Sequence, residues 1–162
     1  MTIQYLGDNA FLVKTKTTEL TTGQEIKVGE LTLSGPGEYE VGDAQIRGYQ
    51  DAYLIGADDA NLLYVYNPNG LSEELIKEIE EDIDVLILTV DRDPSHVKGA
   101  MRTMNALDPK VTLPAVDGPD HPFCKEIGGC PVGVEEFKIN RKDFQEGERK
   151  VVVLNARSRA RR

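Results

Sequence analysis

The chain has 162 residues, 40% hydrophobic and 29% charged, with a formal net charge of −9. That length carries one compact domain with a core of its own, and the balance excludes a disordered or fibrous chain. The acidic excess argues against a body that binds nucleic acid or acidic membranes, no apolar stretch approaches bilayer length, and two cysteines do not make a disulfide framework.

In chain order, the first half reads as short strands joined by tight turns. Ile3–Leu6 and Phe11–Val13 flank Gly7-Asp8-Asn9, a hairpin pattern. Gln24–Val28 alternates polar with apolar, breaks at Gly29, and resumes at Leu31–Leu33; Gly35-Pro36-Gly37 is a firm stop. Tyr39, Val41, Ala44, Ile46 and Tyr49 predict a strand pair around Gly42-Asp43. Leu54-Ile55 and Leu62–Tyr66 predict another around Asp58-Asp59.

The period then changes. Ser72 is placed to cap a helix with Glu73 and Glu74 in its first turn, and Leu71, Leu75, Ile76, Ile79 and Ile83 recur at helical spacing. Glu78, Glu80, Glu81 and Asp82 then form a solvated face. The apolar run Val85–Val90 suits a strand buried on both faces. Asp93 and Pro94 open a second helix with the stripe Val97, Ala100, Met101, Met104 and Leu107. Val111–Leu113 follows as a strand, so Leu62 to Leu113 predicts three neighbouring strands joined by crossovers. Residues 117–133 read as a Pro- and Gly-rich loop, and strands near Glu136–Asn140 and Val151–Leu154 as a closing pair.

Gly35-Pro36-Gly37-Glu38-Tyr39-Glu40-Val41 resembles a bacterial branch of the metallo-β-lactamase superfamily, the Zn-dependent hydrolases related to ascorbate-phosphate lactonases. Four further segments resemble that branch in the same order: Ile3–Gly7, Leu71–Leu75 through Ile87, Pro109–Pro114, and Val151–Leu154. The resemblance implies an α/β fold, a truncated αββα sandwich of two mixed β-sheets, with a single domain over 1–156 and a basic tail over 157–162. It also implies one or two Zn²⁺ ions that activate water against an ester, lactone or phosphodiester.

The ligand positions that the resemblance implies are missing. No histidine lies between Lys14 and Ser34, where an H-x-H-x-D-H loop belongs, and none between Tyr49 and His96. The bridging Asp belongs just before Leu71, where Asn67 and Asn69 stand. The last His belongs at Val116, and the His usual after the opening Leu-Gly is Asp8. Zn²⁺ needs about three or four protein ligands, so this set predicts no zinc and no cofactor.

Other groups have plain readings. His121, Cys124 and Cys130, near Asp117 and Asp120, form a candidate metal cluster, but their spacing is not a standard zinc pattern. The alternative is a surface loop with two reduced, half-buried thiols. His96 reads as an exposed polar residue in a first helical turn. Arg157, Arg159, Arg161 and Arg162 could contact an anion, RNA or an acidic partner, or form a frayed end.

Met1–Leu6 lacks the basic and apolar regions of a secretory signal, so a cytoplasmic location is expected. With only two convincing helices, one sheet face is expected to lie bare and apolar and to drive self-association as a dimer. Three functional readings follow. The first is a non-catalytic binding or scaffold protein. The second is a hydrolase with a site rebuilt around Asp8, Asn67, Asn69 and Asp117. The third is an RNA-associated accessory protein that uses the tail.

Overall fold

The computed structural model describes residues 1–139, 142, 144, 147 and 149–157. The elements are β1 (Thr2–Gly7), β2 (Ala10–Lys14), β3 (Glu19–Thr21), β4 (Glu25–Val28), β5 (Leu31–Ser34), β6 (Gly37–Val41), β7 (Ala44–Tyr49), β8 (Ala52–Ala57), β9 (Ala60–Val65), α1 (Glu73–Glu78), β10 (Val85–Leu88), α2 (Pro94–Leu107), β11 (Val111–Pro114), α3 (Pro122–Glu126), β12 (Phe137–Lys138) and β13 (Lys150–Val151).

They build two sheets. The first has the order β12-β1-β2-β3-β4-β5 and the second β13-β11-β10-β9-β8-β7-β6. The first is antiparallel along its strands, with a parallel bridge from Tyr5 to Ala156; in the second, β9, β10, β11 and β13 run parallel and the rest antiparallel. Two-residue turns set the hairpin registers. Asp8 and Asn9 lie at φ 51° and 65°, and Asp58 and Asp59 at 51° and 60°, the left-handed geometry that matches the twist of the strands they join.

Alternation along each strand divides the side chains between two cores. Ile3, Phe11, Val13, Leu20 and Ile26 from the first sheet meet Leu62, Tyr64, Val85, Ile87, Val111 and Leu113 from the second. The opposite face of the second sheet, with Leu63, Val65, Leu86 and Leu88, is covered by Leu71, Leu75 and Ile79, by Val97 and Ala100 of α2, and by Phe123 of α3. Every residue of β10 and β11 is buried, as strands covered on both faces require.

The three helices among the described residues therefore lie on one side, and none of them covers the outer face of the first sheet. That face is not the apolar surface expected. Gln4, Lys14, Glu19, Thr21, Glu25, Lys27 and Thr32 fill most of its alternate positions, with Leu6 and Leu12 half-buried among them. A polar face has little to gain from burial, so the reason given for a dimer through this face falls away.

Other expectations are corrected in detail. The helix capped by Ser72 ends at Ile79, and Ile83 is buried from the connection that follows. The loop over 117–133 contains α3. The closing strands do not pair as neighbours: β12 extends the first sheet beside β1, and β13 the second beside β11. An isolated bridge from Val134 to Leu154 links the two segments. Asn140 lies outside the described residues.

Candidate functional site, a crevice at the carboxyl ends of the parallel strands

In open α/β sheets, ligands bind beyond the carboxyl ends of parallel strands, where loops diverge and backbone groups face outward. Here that end opens into a crevice of about 1000 Å³. Its floor and walls come from Val90–Arg92 after β10, from Ala115–Pro119 after β11, from the Gly7-Asp8-Asn9 turn, and from the segments 130–133 and 153–156. Val90, Val116 and Leu154 are buried in the wall, while Asp91, Arg92 and Asp117 stand exposed at the mouth.

Arg92 dominates the electrostatics. Its guanidinium forks onto Asp117, Nη2 to Oδ1 at 2.8 Å and Nε to Oδ2 at 3.2 Å, and also reaches Asp120 at 3.3 Å. The Arg92 hydrogen bond holds the Asp117 carboxyl below its usual range, and Asp117 in turn raises Arg92. All three side chains are about half exposed or more, so solvent screens the network and it is worth little as stability. It does place a fixed cation at the mouth of the crevice. On the opposite wall the Tyr5 hydroxyl accepts from the Asn9 amide at 3.2 Å, and burial, then the nearby Asp8 and Asp117 carboxylates, raises its pKa.

The sequence-predicted positions divide. Asp8, Val116 and Asp117 line the crevice. Asn67 and Asn69 do not: Asn67 Oδ1 accepts from the Asn69 amide at 2.9 Å, which folds a turn packed on α2 at Gly99. Arg157 donates its amide to the Tyr5 carbonyl and its Nη1 to Gln4 at 3.4 Å. Arg159, Arg161 and Arg162 lie outside the described residues.

The cluster offered for metal binding is built otherwise. Cys124 and Cys130 form a disulfide instead of two reduced thiols, which leaves neither sulfur as a thiolate ligand. His121 is 2% exposed and caps α3, its Nδ1 accepting from the Phe123 amide at 3.0 Å. The Nδ1 lone pair is used by that cap, and in the neutral ring the other nitrogen carries the proton. Among the described residues, no group of three or more His, Cys, Asp or Glu side chains is placed to hold an ion. A catalytic zinc site needs imidazole or carboxylate donors converging on an open position. Here that region offers Val116, an Asp117 already clasped by arginine, an Asp91 paired with His96, Asp8 on the opposite turn, and a His121 ring whose lone pair caps α3, and these do not converge on one point. The residues present do not fit the ion.

His96 has Nδ1 2.8 Å from Oδ2 of Asp91, a residue that lines the crevice. This dyad has no nucleophile of its own: the nearby Ser95 hydroxyl donates to Asp93, the N-cap of α2. The two histidines are pulled in opposite directions. The hydrogen bond to Asp91 raises His96 above its ordinary 6.5, whereas burial pushes His121 below it. By linkage, the His96 contribution to stability is full below about 6.5 and is lost as pH rises through its raised value. The His121 contribution is present above about 6.5 and is lost as pH falls through its depressed value, because a protonated ring cannot accept from Phe123. An NMR titration should show two imidazole midpoints either side of 6.5, with His121 the lower, and the reverse assignment would contradict the cap.

No protein-family model matches the chain, and no curated protein matches it. Among solved structures it matches a Thermotoga maritima protein described provisionally as a Zn-dependent hydrolase of the metallo-β-lactamase superfamily. The TM-score is 0.72 and the identity 20%, over 95% of this chain and 98% of that one. The two cover each other almost end to end, so a body of this size is shared by that structure and is not peculiar to this chain. At this identity the likeness is one of architecture. No helix among the described residues is long and apolar enough to cross a membrane. The chain has the metallo-β-lactamase fold.

Proposed function

We propose that this chain is a non-catalytic binding or scaffold protein on the metallo-β-lactamase fold, and that the crevice at the carboxyl ends of β10 and β11 is its binding site. One observation carries the reading. The crevice has a volume of about 1000 Å³, and it is lined by an arginine clasped by two aspartates and by the buried Val116, the position where the resemblance implies a last metal ligand. An immobile guanidinium supplies positive charge without an exchangeable position for water. It cannot lower the pKa of a bound water as an open zinc site does, so this network does not supply the activated water of a zinc hydrolase.

The reading is tested by elemental analysis of the purified protein together with thermal unfolding in added zinc or manganese. The expected result is well below one ion per chain and no upward shift of the midpoint, since an ion that binds the folded form must raise it. A stoichiometric ion that survives dialysis, with turnover of a chromogenic ester or phosphodiester, would replace this reading with that of a rebuilt hydrolase.

A further inference from the structure

Cys124 and Cys130 are joined across surroundings that differ sharply. Cys124 is fully buried on α3, in the cluster that fastens the helices to the second sheet; Cys130 is half-buried and lines the crevice. Between them Ile127 closes the helix, and Gly128 and Gly129 run at φ of +87° and +120° into open space. The Gly128 amide bonds to Lys125 and the Gly129 amide to Cys124. Among the described residues, the next backbone amide bonded to backbone is that of Val134, to Val153. The stretch from Cys130 to Gly133 forms one wall of the crevice and holds Val132 at 91% exposure, with no such bond of its own. The disulfide is what ties the near end of that wall to the core.

We propose that Cys130 is a thiol-exchange site through which a small-molecule thiol frees this wall of the crevice. A thiolate attacks Sγ of Cys130, which belongs to the less buried of the two residues, and forms a mixed disulfide; the original S–S bond breaks, and Cys124 leaves as a thiolate that takes up a proton. A second thiol displaces Cys130 and departs as the oxidised small-molecule disulfide. Two thiols have then given two electrons to the cystine, and both protein sulfurs are thiols. The closed loop is short, so opening it removes little of the constraint on the unfolded chain and leaves the sheets in place. The freedom gained is local, in the glycines and the wall that follows them. The inference concerns the wall alone and holds whatever the crevice binds.

Hydrogen exchange read by mass spectrometry on the whole chain tests it, after diamide oxidation and again after dithiothreitol under native conditions, with iodoacetamide counting thiols once the protein has been denatured. The oxidised chain should take up no label and the reduced chain two. Peptides covering 128–134 should exchange about ten-fold faster or more after reduction while those covering β9, β10 and β11 are unchanged, as local opening requires. Cys130→Ser should exchange like the reduced protein even after diamide. The proposal is overturned if diamide forms no disulfide, if native reduction yields no thiols, or if exchange over 128–134 does not move. It is equally overturned if reduction accelerates exchange throughout the sheets, because the bond would then be a global staple.

Discussion

Lys110→Met is expected to lower the free energy of unfolding by about 3–5 kcal/mol, more than Asp84→Ala does, although Asp84 is the buried partner of the pair. The side chains meet at 3.0 Å, Lys110 33% exposed and Asp84 1%. Without the ammonium, the carboxylate keeps one partner among those described, the Asn61 amide at 2.8 Å, and no water can reach it. That is an uncompensated anion inside a sheet. Without the carboxylate, by contrast, the ammonium hydrates through its exposed part, and the main loss is the acceptor for Asn61, about 1–3 kcal/mol. Asp84→Asn combined with Lys110→Met removes both charges and keeps an acceptor, so the double variant should be more stable than Lys110→Met alone. Asp84 also bonds through its backbone to Asn61 and to Val111, and so pins the amino ends of β9, β10 and β11, opposite the crevice. Urea unfolding of the three variants checks the order. Equal losses in the two single variants, or no recovery in the double one, would refute the buried-anion account.

What could be read from the residues follows from how local each signal is. The hairpins around Asp8-Asn9, Gly42-Asp43 and Asp58-Asp59 were legible because turn residues and two-residue periods sit together in the chain. The second helix was legible because Asp93 and Pro94 announce its start at the position found. The absence of inherited metal ligands was legible because it needed only residue identities. The rest depended on contacts between distant positions. α3 is five residues long and capped by His121, whose ring does the work that Ser, Thr, Asp or Asn does at most helix starts. The Arg92 clasp joins residues 25 and 28 positions apart, and nothing in Asp91-Arg92-Asp93 announces it. The polar character of the bare sheet face lies in the alternation of Lys14, Glu19, Glu25 and Lys27, which a count of helices does not reveal. The disulfide was not legible because a count of two cysteines says nothing about which sulfurs the fold brings together.

Gly99→Ala carries the second large effect, and its sign is the informative part. Gly99 lies inside α2, where alanine normally gains about 1 kcal/mol over glycine. Here the added Cβ would overlap the Asn69 carbonyl oxygen and the Asn69 side chain, because the turn from Asn67 to Gly70 lies directly on the helix. Gly70, at φ +81°, is pressed against Thr103 Oγ1 and the Gly99 carbonyl from the other side. Thr103 Oγ1 accepts from the Leu71 amide at 2.9 Å and donates to the Gly99 carbonyl at 2.9 Å, so turn and helix share one buried polar seam. Pushing them apart strains well-packed atoms, at about 1–3 kcal/mol, and loosens the Leu71 bond, worth about 1 kcal/mol more. These losses exceed the propensity gain, and the melting midpoint should fall by several degrees, at about 2–4 °C per kcal/mol for a chain of this size. Ala106→Gly, an exposed position near the end of the same helix, serves as the control and should lose only the propensity difference. A higher midpoint for Gly99→Ala than for the parent would mean that the turn does not rest on α2. Asn67 and Asn69 would then be free to swing toward the crevice, where the resemblance to zinc hydrolases places them.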